Sequence, residues 1–355
     1  MKIIQQKIKE HYTNKLPFVV YNKPNTKEVF GVFQQNDDLS IVTNQYGKKG
    51  FIFAPFSSSD KTVLFPLSGS EFVTDNMSIN DDIEVQDILS INDNESRLNH
   101  VELVEKGVKA IKKECFKKVV LSRKEKVKLT NINIIETYNR LLQTYPNAFV
   151  YVWFHPKVGL WFGATPETLL KLENNCFKTM ALAGTQVYKE GVDPKWKQKE
   201  IEEQKFVTDY IVNKLSGFSK GLQISETETV KAGSLLHLRT EINGELDVVN
   251  ENGLFSLVDL LHPTPAVCGF PKEAAKQFIL DNENYNRSYY TGFLGELNMG
   301  KAHTSDSHLF VNLRCMEIKN TEALIYVGGG ITKESDPEKE WRETVAKSNI
   351  MLNIL

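Results

Sequence analysis

A lysine stands at the start of a strongly apolar stretch, the run Lys-Lys-Val-Val-Leu-Ser-Arg at residues 117–123. The Val-Val-Leu segment predicts a buried strand, because β-branched and apolar residues are concentrated there. Lys118 could end a solvated helix and reach the surface, which is the usual fate of a lysine. Alternatively it is partly buried, and such a lysine has a lowered pKa and can act as a base. The local sequence favours the first alternative and leaves the second open.

Carboxylates occupy an unexpected face of the last predicted helix. Positions three, four and seven apart share a helix face, so Glu340, Glu343 and Lys347 lie together. The same face continues with the apolar residues Ile350, Met351 and Ile354. A surface helix normally keeps its charges opposite the apolar stripe, so these charges are predicted to face inward.

A second carboxylate faces inward on an earlier helix. Glu203 is in line with Phe206, Val207 and Tyr210. An uncompensated charge among apolar side chains would be very costly. An i,i+4 ion pair with Lys199, or a frayed first turn, explains Glu203 equally well, since surface pairs of this kind are common.

Together the two helices predict a cation site. Several inward carboxylates need a cation, and oxygen ligands without Cys or His favour Mg²⁺. Mg²⁺ held by few carboxylates keeps bound waters and usually contacts an anionic ligand as well. The Gly-Gly-Gly-Ile run at 328–331 ends a predicted strand just before the carboxylate helix and could offer backbone N–H groups to that anion. The run alone is weak support, because a plain turn contains the same residues.

The composition is that of a soluble globular chain. Its 355 residues are 41% hydrophobic and 25% charged, enough for a large core in one or two domains. A formal net charge of −2 without a basic cluster gives no indication of a nucleic-acid partner. Apolar runs are too short for a membrane span, and residues 1–15 lack a signal-peptide core. Four scattered cysteines have no zinc or redox spacing, so a reduced, cytoplasmic protein is expected.

The periodicity of apolar residues predicts the elements that position these side chains. Short strands are expected over about the first 70 residues, and a surface connection at 75–97. A helix leading into the Lys118 strand is predicted from Leu98, Val101, Val104, Val108 and Ile111. Further helices are predicted at 132–146, 195–218, 250–261, 271–280 and 336–355. Further strands are predicted at 148–154, 160–172, 289–298, 308–318 and 323–331. Paired strands with helices between them indicate an α+β protein built in layers.

Ten segments stand in the order found in the chorismate-utilising enzymes, which include isochorismate, salicylate, anthranilate and aminodeoxychorismate synthases. The segments are KVVLSR, GATPETLL, LAGT, KEIEEQ, HLRTEINGEL, LLHPTPAVCGFP, YNRSYYTGFLGEL, LFVNLRC, GGGI and SDPEKEWRETVAK. The most specific are LLHPTPAVCGFP and DPEKEWRE. Residues 98–355 therefore resemble the catalytic region of this family, and residues 1–97 resemble its variable N-terminal strands within the same globular unit.

The resemblance implies a fold and a catalytic arrangement. The implied fold has two stacked large antiparallel β-sheets flanked by helices, with the active site in a cleft between the layers. Lys118 would be the general base and Glu167 the general acid, while water adds at C2 of chorismate and the C4 hydroxyl leaves. Glu203 and Glu343 would be Mg²⁺ ligands, with Glu340 acting nearby through water.

The resemblance also implies the substrate contacts. The expected residues are Gly184, Thr185, His237, Arg314, Gly328, Gly329, Gly330 and Lys347. Among them, Arg314 and Lys347 would bind carboxylate groups, and His237 would lie beside the ring.

This sequence departs from the family pattern in three places. Family members often have His-Glu-His where Glu202, Glu203 and Gln204 stand, and alanine in the middle of the glycine run. Asn286 replaces an expected aspartate, which puts an ion pair to Arg287 in doubt. None of these departures removes a catalytic group.

The resemblance implies a Mg²⁺-dependent isochorismate synthase, because water-using members have a lysine at the position of Lys118 and ammonia-using members do not. A salicylate synthase, which adds a pyruvate elimination, is the alternative, and an inactive binding subunit is the least favoured. The product would serve menaquinone or siderophore synthesis, with menaquinone preferred because no lyase or amidotransferase domain is fused to the chain. A monomer or homodimer is expected, with chorismate as the partner and no nucleic acid or membrane.

Overall fold

The computed structural model describes residues 1–43, 47–57, 59–77, 94–233, 235–246, 253–300 and 306–355. Helices within these ranges are α1 (Lys2–Thr13), α2 (Asn94–Lys112), α3 (Ile134–Thr144), α4 (Gln198–Leu215), α5 (Gly253–Leu261), α6 (Lys272–Asn282) and α7 (Pro337–Leu352). Strands are β1 (Phe18–Asn22), β2 (Glu28–Gln34), β3 (Gly50–Ala54), β4 (Val63–Pro66), β5 (Ser70–Asn76), β6 (Lys118–Lys128), β7 (Phe149–His155), β8 (Gly159–Thr165), β9 (Thr168–Glu173), β10 (Cys176–Val187), β11 (Ser219–Ile224), β12 (Glu228–Ala232), β13 (Leu235–Leu246), β14 (Gly269–Phe270), β15 (Phe293–Leu297), β16 (Ser307–Val311), β17 (Cys315–Lys319) and β18 (Glu322–Ile331).

These strands form two large antiparallel sheets. The first sheet has the order β14-β6-β18-β17-β8-β7-β1-β2-β5. The second has the order β11-β13-β10-β9-β16-β15-β3-β4, and β12 also pairs with β13. The predicted α+β class, with two stacked antiparallel sheets and flanking helices, is confirmed. None of the helices in the described ranges is long and apolar enough to cross a membrane.

An aromatic layer holds the two sheets together, and β7 illustrates it. Tyr151 and Trp153 point into this layer, where Trp153 lies 4.9 Å from Phe53 of the second sheet, measured between ring centroids. Val150 and Val152 alternate to the opposite face, which α1, α3 and α7 cover. Burial on both faces explains why β7 is apolar at nearly every position.

The sequence prediction was wrong for several elements. Residues 2–13 form α1, whereas only short strands were predicted there; Ile4 and Ile8, one helical turn apart, are buried against the first sheet. Two segments predicted as single strands are each divided between the sheets: 160–172 into β8 and β9, and 308–318 into β16 and β17. Strands β10 to β14 were not predicted. Helices α3 to α7 and strand β7 were predicted correctly, apart from their ends.

Helix α2 begins earlier than predicted, at Asn94. Its buried face consists of His100, Val104, Gly107 and Ile111, and Leu98 is 55% exposed. The prediction placed Leu98 on the buried face because it is three positions from Val101. Residues at this spacing can lie on either of two neighbouring faces of a helix, and the sequence does not show which face is buried. Of the connection predicted at 75–97, residues 78–93 lie outside the described part of the chain.

A buried ion pair ties the end of α6 to β6. Arg287 donates from Nε and Nη2 to the two carboxylate oxygens of Glu283 at 2.7 and 2.6 Å, and both side chains are 2% exposed. Arg287 also donates to the carbonyl of Val120. Glu283 accepts hydrogen bonds from the backbone N–H and the hydroxyl of Ser122, both at 2.8 Å. Strand β14 is too short to pair with all of the backbone groups along this part of β6. The Arg287–Glu283 pair forms hydrogen bonds with the groups of Val120 and Ser122 instead.

The departure at Asn286 does not disturb this arginine. Asn286 donates to a carboxylate oxygen of Asp60 at the surface, and Arg287 has its ion pair with Glu283. The doubt about an ion pair of Arg287, raised by the sequence, is therefore removed.

Replacing Glu283 by glutamine should destabilise the protein by about 3–5 kcal/mol, because Arg287 would remain buried without a carboxylate. Urea denaturation measures this loss. Glu273→Gln, at an exposed position on the same helix, is the matched control and should change stability by about 0.5 kcal/mol or less. Equal unfolding midpoints for the two variants would contradict the importance of the buried pair.

Candidate active site

Two of the links by which the chain passes between the two sheets are short and lie side by side. The link from β8 to β9 carries Glu167, and the link from β16 to β17 carries Arg314. Thr165 donates its hydroxyl to the carbonyl of Val311 at 2.6 Å, and the N–H of Val311 donates to the carbonyl of Glu167 at 3.0 Å. These bonds fix the links against each other, so that both charged residues lie in the space between the sheets.

Arg314 has an unusual backbone conformation, with φ at 47°. Side chains other than glycine rarely occupy this left-handed region, and surrounding contacts must hold them there. The contacts come from Asn312, whose side chain donates to the carbonyl of Tyr289 and accepts from the hydroxyl of Tyr151. The anchored link turns the guanidinium of Arg314 into the cleft.

Lys118 is fully buried at the start of β6, and its Nζ lies 3.0 Å from Oε1 of Glu203 on α4. Gly330 on β18, which pairs with Val120, leaves room for this ion pair: a Cβ there would lie 2.2 Å from that Glu203 oxygen and 3.1 Å from Cε of Lys118. The solvated alternative for Lys118 is therefore wrong. The i,i+4 pair of Glu203 with Lys199 is also wrong, since Lys199 contacts Glu340 instead.

Helix α7 presents its predicted charged face to the glycine run. Lys347 donates to the carboxylate of Glu343 at 2.6 Å and to the carbonyl of Gly328 at 2.9 Å. Glu340 is 2% exposed and forms an ion pair with Lys199, while its Oε2 is buried without a hydrogen-bond partner. Asp336 caps this helix and Pro337 opens it, as predicted.

Each carboxylate predicted to bind metal thus faces a lysine. Burial raises the pKa of Glu340, and Lys199 offsets this effect only in part. Burial also raises the pKa of Glu343, but Lys347 and Lys199 outweigh it and the net shift is downward. Among the described residues, no group of three or more His, Cys, Asp or Glu side chains is arranged as a ready metal site.

Glu167 combines burial with access to the cleft. It is 3% exposed, and burial raises its pKa to about 8, because the opposing effects of Lys118 and Arg314 are weaker. The carboxyl is therefore mainly protonated at neutral pH and able to donate a proton, as a general acid must.

His237 is neutral and has a defined tautomer. Burial, together with Arg314 and Lys347, lowers its pKa to about 3. Its Nδ1 lies 2.8 Å from the carbonyl of Gly184, which can only accept, so Nδ1 carries the proton. Nε2 then accepts from Nη2 of Arg314 at 3.2 Å. The histidine orients the guanidinium and leaves Nη1 of Arg314, a buried atom without a hydrogen-bond partner, free for another group.

A β-bulge brings Gly184 and Thr185 to the same place. The pairing of β10 with β13 shifts between Ala183 and Gln186, and Gly184 has φ at 67°. Such a bulge redirects side chains out of the regular alternation of a strand. The hydroxyl of Thr185 consequently lies near His237, at 3.5 Å from Nδ1.

One cleft between the sheets contains nearly all of the predicted site residues. Its atom-free volume is about 680 Å³, part of it open to solvent. The predicted residues lining it are Glu167, Gly184, Thr185, Glu203, His237, Arg314, Gly328, Gly329, Gly330, Glu343 and Lys347. Lys118 and Glu340 lie outside this lining; Lys118 contacts Glu203, and Glu340 approaches Gly329, both of which line the cleft.

The sequence analysis missed the apolar and hydroxyl walls of the cleft. These walls are formed by Val120, Pro166, Leu182, Ala183, Ala266, Val267, Tyr290, Thr291, Leu313, Tyr326 and Val327. Tyr290 stands within the segment YNRSYYTG and could have been noticed there, but the two other tyrosines of that segment, Tyr285 and Tyr289, make its selection ambiguous. The others have ordinary core residue types, and nothing in their spacing distinguishes a cleft wall from a core.

The remaining departures from the family pattern are accommodated locally. A Cβ at Gly329 would make ordinary contacts of 3.5 Å with Glu340 and 3.7 Å with Glu343, so alanine fits there as well as glycine. Gln204 is buried and donates to the carbonyl of Ala181. Glu202 is exposed and accepts a hydrogen bond from Gln198.

Several solved structures share this fold. A 2,3-dihydroxybenzoate-specific isochorismate synthase DhbC, named as putative, from Bacillus anthracis superposes with a TM-score of 0.79 at 22% identity, covering 99% of both chains. The menaquinone-specific isochorismate synthase MenF from Escherichia coli gives a TM-score of 0.77 at 21% identity, covering 96% of this chain and 88% of that one.

Curated sequences give a more specific match. Isochorismate synthase EntC from Escherichia coli (strain K12) is 32% identical over 205 residues, which are 55% of this chain and 51% of that protein. Isochorismate synthase DhbC from Bacillus subtilis (strain 168) is 30% identical over 273 residues, 71% of this chain and 66% of that protein. The matched part thus spans about half to two thirds of these relatives. The family described as chorismate binding enzyme matches residues 70–355, and the chain belongs to it.

Proposed function

We propose that this protein isomerises chorismate to isochorismate. The observation that carries the proposal is the pairing of a protonated acid, Glu167, with a buried amine, Lys118, around a cleft that also contains two cationic side chains. Chorismate carries two carboxylates, and Arg314 and Lys347 suit those groups. The names of the curated relatives EntC and DhbC support the same reaction.

In the proposed reaction Lys118 and Glu167 assist the loss of the C4 hydroxyl of chorismate and the gain of a hydroxyl at C2. Lys118, as the proposed base, takes a proton from water as the oxygen attacks C2 of the ring. The ring double bonds shift, and the C4 hydroxyl leaves as water with the proton of Glu167. The protonated lysine and the ionised glutamate then return to their starting forms by proton transfer through solvent. No atom is gained or lost overall, so the reaction is a reversible isomerisation.

Binding and orientation fall to the remaining charged residues. His237 accepts one N–H of Arg314 and so leaves Nη1 to donate to a substrate carboxylate. Lys347, held by Glu343 and the carbonyl of Gly328, would approach the same substrate from α7. Fixed donors of this kind reduce the entropy lost when the reacting ring is positioned.

We propose Mg²⁺ as the cofactor, held by Glu203, Glu343 and Glu340. The residues fit a cation because Oε2 of Glu340 is buried without a hydrogen-bond partner. That oxygen and Oε1 of Glu343 both approach Gly329, at 3.5 and 3.7 Å from the place that a Cβ would occupy there. When bound, Mg²⁺ would neutralise the ring carboxylate of chorismate.

The destination of the product remains a prediction from the sequence. Menaquinone synthesis is proposed ahead of siderophore synthesis, and a cytoplasmic monomer or homodimer is proposed as the working form. Salicylate formation stays the alternative, and product analysis distinguishes it.

Incubation of the purified protein with chorismate and Mg²⁺ should give isochorismate in equilibrium with chorismate, without added amine. Chromatography of the products and an assay for pyruvate are the measurements. Stoichiometric pyruvate release would replace the proposal by salicylate synthesis, and no turnover at all would favour a binding subunit.

Glu167→Gln should lower kcat by about 10²–10⁴, the usual value of one positioned proton donor. In the unmodified protein kcat should fall as the pH rises through about 8, because the raised pKa of Glu167 keeps the acid protonated only below that value. The residual activity of Glu167→Gln should not show this decrease of kcat at high pH.

Lys118→Ala should lower kcat by a similar factor while chorismate still binds. Retention of wild-type kcat by either variant would remove that residue from the proposed mechanism.

Glu343→Gln should weaken Mg²⁺ binding at least tenfold, since loss of even an outer-shell partner costs about 10–100-fold. Isothermal titration calorimetry of Mg²⁺ into the protein measures this directly, without turnover. Glu202→Gln is the matched control, because Glu202 is exposed and adjacent in sequence to the proposed ligand Glu203. Equal Mg²⁺ affinities of the two variants would show that the site is misplaced.

A further inference from the structure

Arg123, the last residue of the segment KVVLSR, is buried on β6 and has no part in the proposed chemistry. Its partner across the β6–β18 pair is Val327, which stands two positions before Gly329. Paired residues project to the same face of a sheet, and so do residues two apart on one strand. A Cβ at Gly329 would meet Glu340 and Glu343 of α7. Arg123 therefore stands on the sheet face from which these two carboxylates approach.

The guanidinium of Arg123 contacts a single turn of α7. Its Nε donates to the hydroxyl oxygen of Thr344 at 2.8 Å, and its central carbon lies 4.3 Å from the ring centroid of Trp341. Thr344 is fully buried and donates its hydroxyl to the carbonyl of Trp341 at 2.7 Å. One hydroxyl group thus joins the strand to this turn of the helix.

The same turn carries the proposed metal ligands. Glu340 directly precedes Trp341, and Glu343 directly precedes Thr344. Successive residues are about 100° apart around a helix, so the residues that contact the guanidinium and the two carboxylates form neighbouring stripes. A rotation or shift of the turn relative to β6 would consequently move both carboxylates relative to the glycine run.

The guanidinium is fixed from the strand as well. Its Nη2 donates to Oε2 of Glu125, two positions along β6, at 3.1 Å. A cleft with an atom-free volume of about 1870 Å³, part of it open to solvent, is lined by Arg123, Glu125, Trp341 and several residues of α2. Close-packed side chains hold helices in place in a filled core. Beside a cleft, the position of the helix depends more on directional bonds such as those of Arg123.

We infer that Arg123 is a positioning residue for the proposed Mg²⁺ site, and that it acts by fixing the Thr344 turn of α7 against the sheet. The inference rests on the proposed function for the identity of the cation. Outer contacts that orient metal ligands contribute to the affinity of a site for its metal. Arginine suits this task because its planar group bonds two partners and stacks on a ring at the same time, whereas an ammonium group does not.

Thr344→Val should weaken Mg²⁺ binding roughly tenfold, because valine keeps the branched shape of threonine but accepts no hydrogen bond from Arg123. Thr344→Ser is the matched control, since serine keeps the hydroxyl and loses only a methyl group; it should bind Mg²⁺ like the unmodified protein. Both variants should lose some stability, so urea denaturation alone does not separate the two explanations. Isothermal titration calorimetry of Mg²⁺ into the folded variants does. Equal affinities of the valine and serine variants would overturn the inference.

Arg123→Lys tests the arginine itself. Lysine keeps the positive charge beside Glu125 but has one nitrogen for two partners, so the bond to Thr344 should be lost. The Mg²⁺ affinity should then fall by the same factor as in Thr344→Val. Combining the two substitutions should weaken binding no further, because both remove one shared interaction. Additive losses would show that the hydroxyl and the guanidinium act separately, and would overturn the inference.

A second arginine provides a control at the other end of the helix. Arg140 donates to the carbonyls of Ile354 and Leu355, just beyond the end of α7. Arg140→Lys should therefore leave the Mg²⁺ affinity unaltered, and this comparison with Arg123→Lys remains available should Thr344→Val fail to fold. Equal affinities of the two lysine variants would overturn the inference. Failure of the unmodified protein to bind Mg²⁺ would overturn the proposed cofactor together with it.

Discussion

The candidate site depends on two neighbouring links by which the chain crosses from one sheet to the other. Glu167 and Arg314 occupy these links, and the hydrogen bonds of Thr165 and Val311 hold the links together. Residues on regular strands point either into the aromatic layer or outward to the helices. At these two crossings the chain turns from one layer to the other, so the side chains of Glu167 and Arg314 enter the interior there.

Charge compensation is the second constraint on the site. Lys118, Lys199 and Lys347 each face one of the buried or half-buried carboxylates. Buried ions without partners would cost several kcal/mol each, so a site that binds an anion must hold its own charges in balance. The balance leaves an orphaned oxygen on Glu340 and a free nitrogen on Arg314. Those two atoms are where the proposed cation and the proposed substrate carboxylate would find an unused partner.

The site also separates proton transfer from orientation. Glu167 stays protonated because it is buried among weaker opposing charges, and this gives it a pKa of about 8. His237 is kept neutral by burial and orients Arg314 through its unprotonated nitrogen. Burial thus gives an acid and a histidine two different tasks in one cleft.

The sequence by itself determined the layered α+β class, most helices and the inward carboxylates of α4 and α7, because hydrophobic periodicity is a local property. The match of ten segments to a family supplied the roles proposed for Lys118, Glu167 and Arg314. Local pattern could not decide whether Lys118 is buried, since its partner Glu203 is far away in the sequence. Nor could the local pattern distinguish residues that line the cleft from residues of the hydrophobic core. Only the tertiary structure decided these points, because burial and ion pairing depend on which distant segments meet between the sheets.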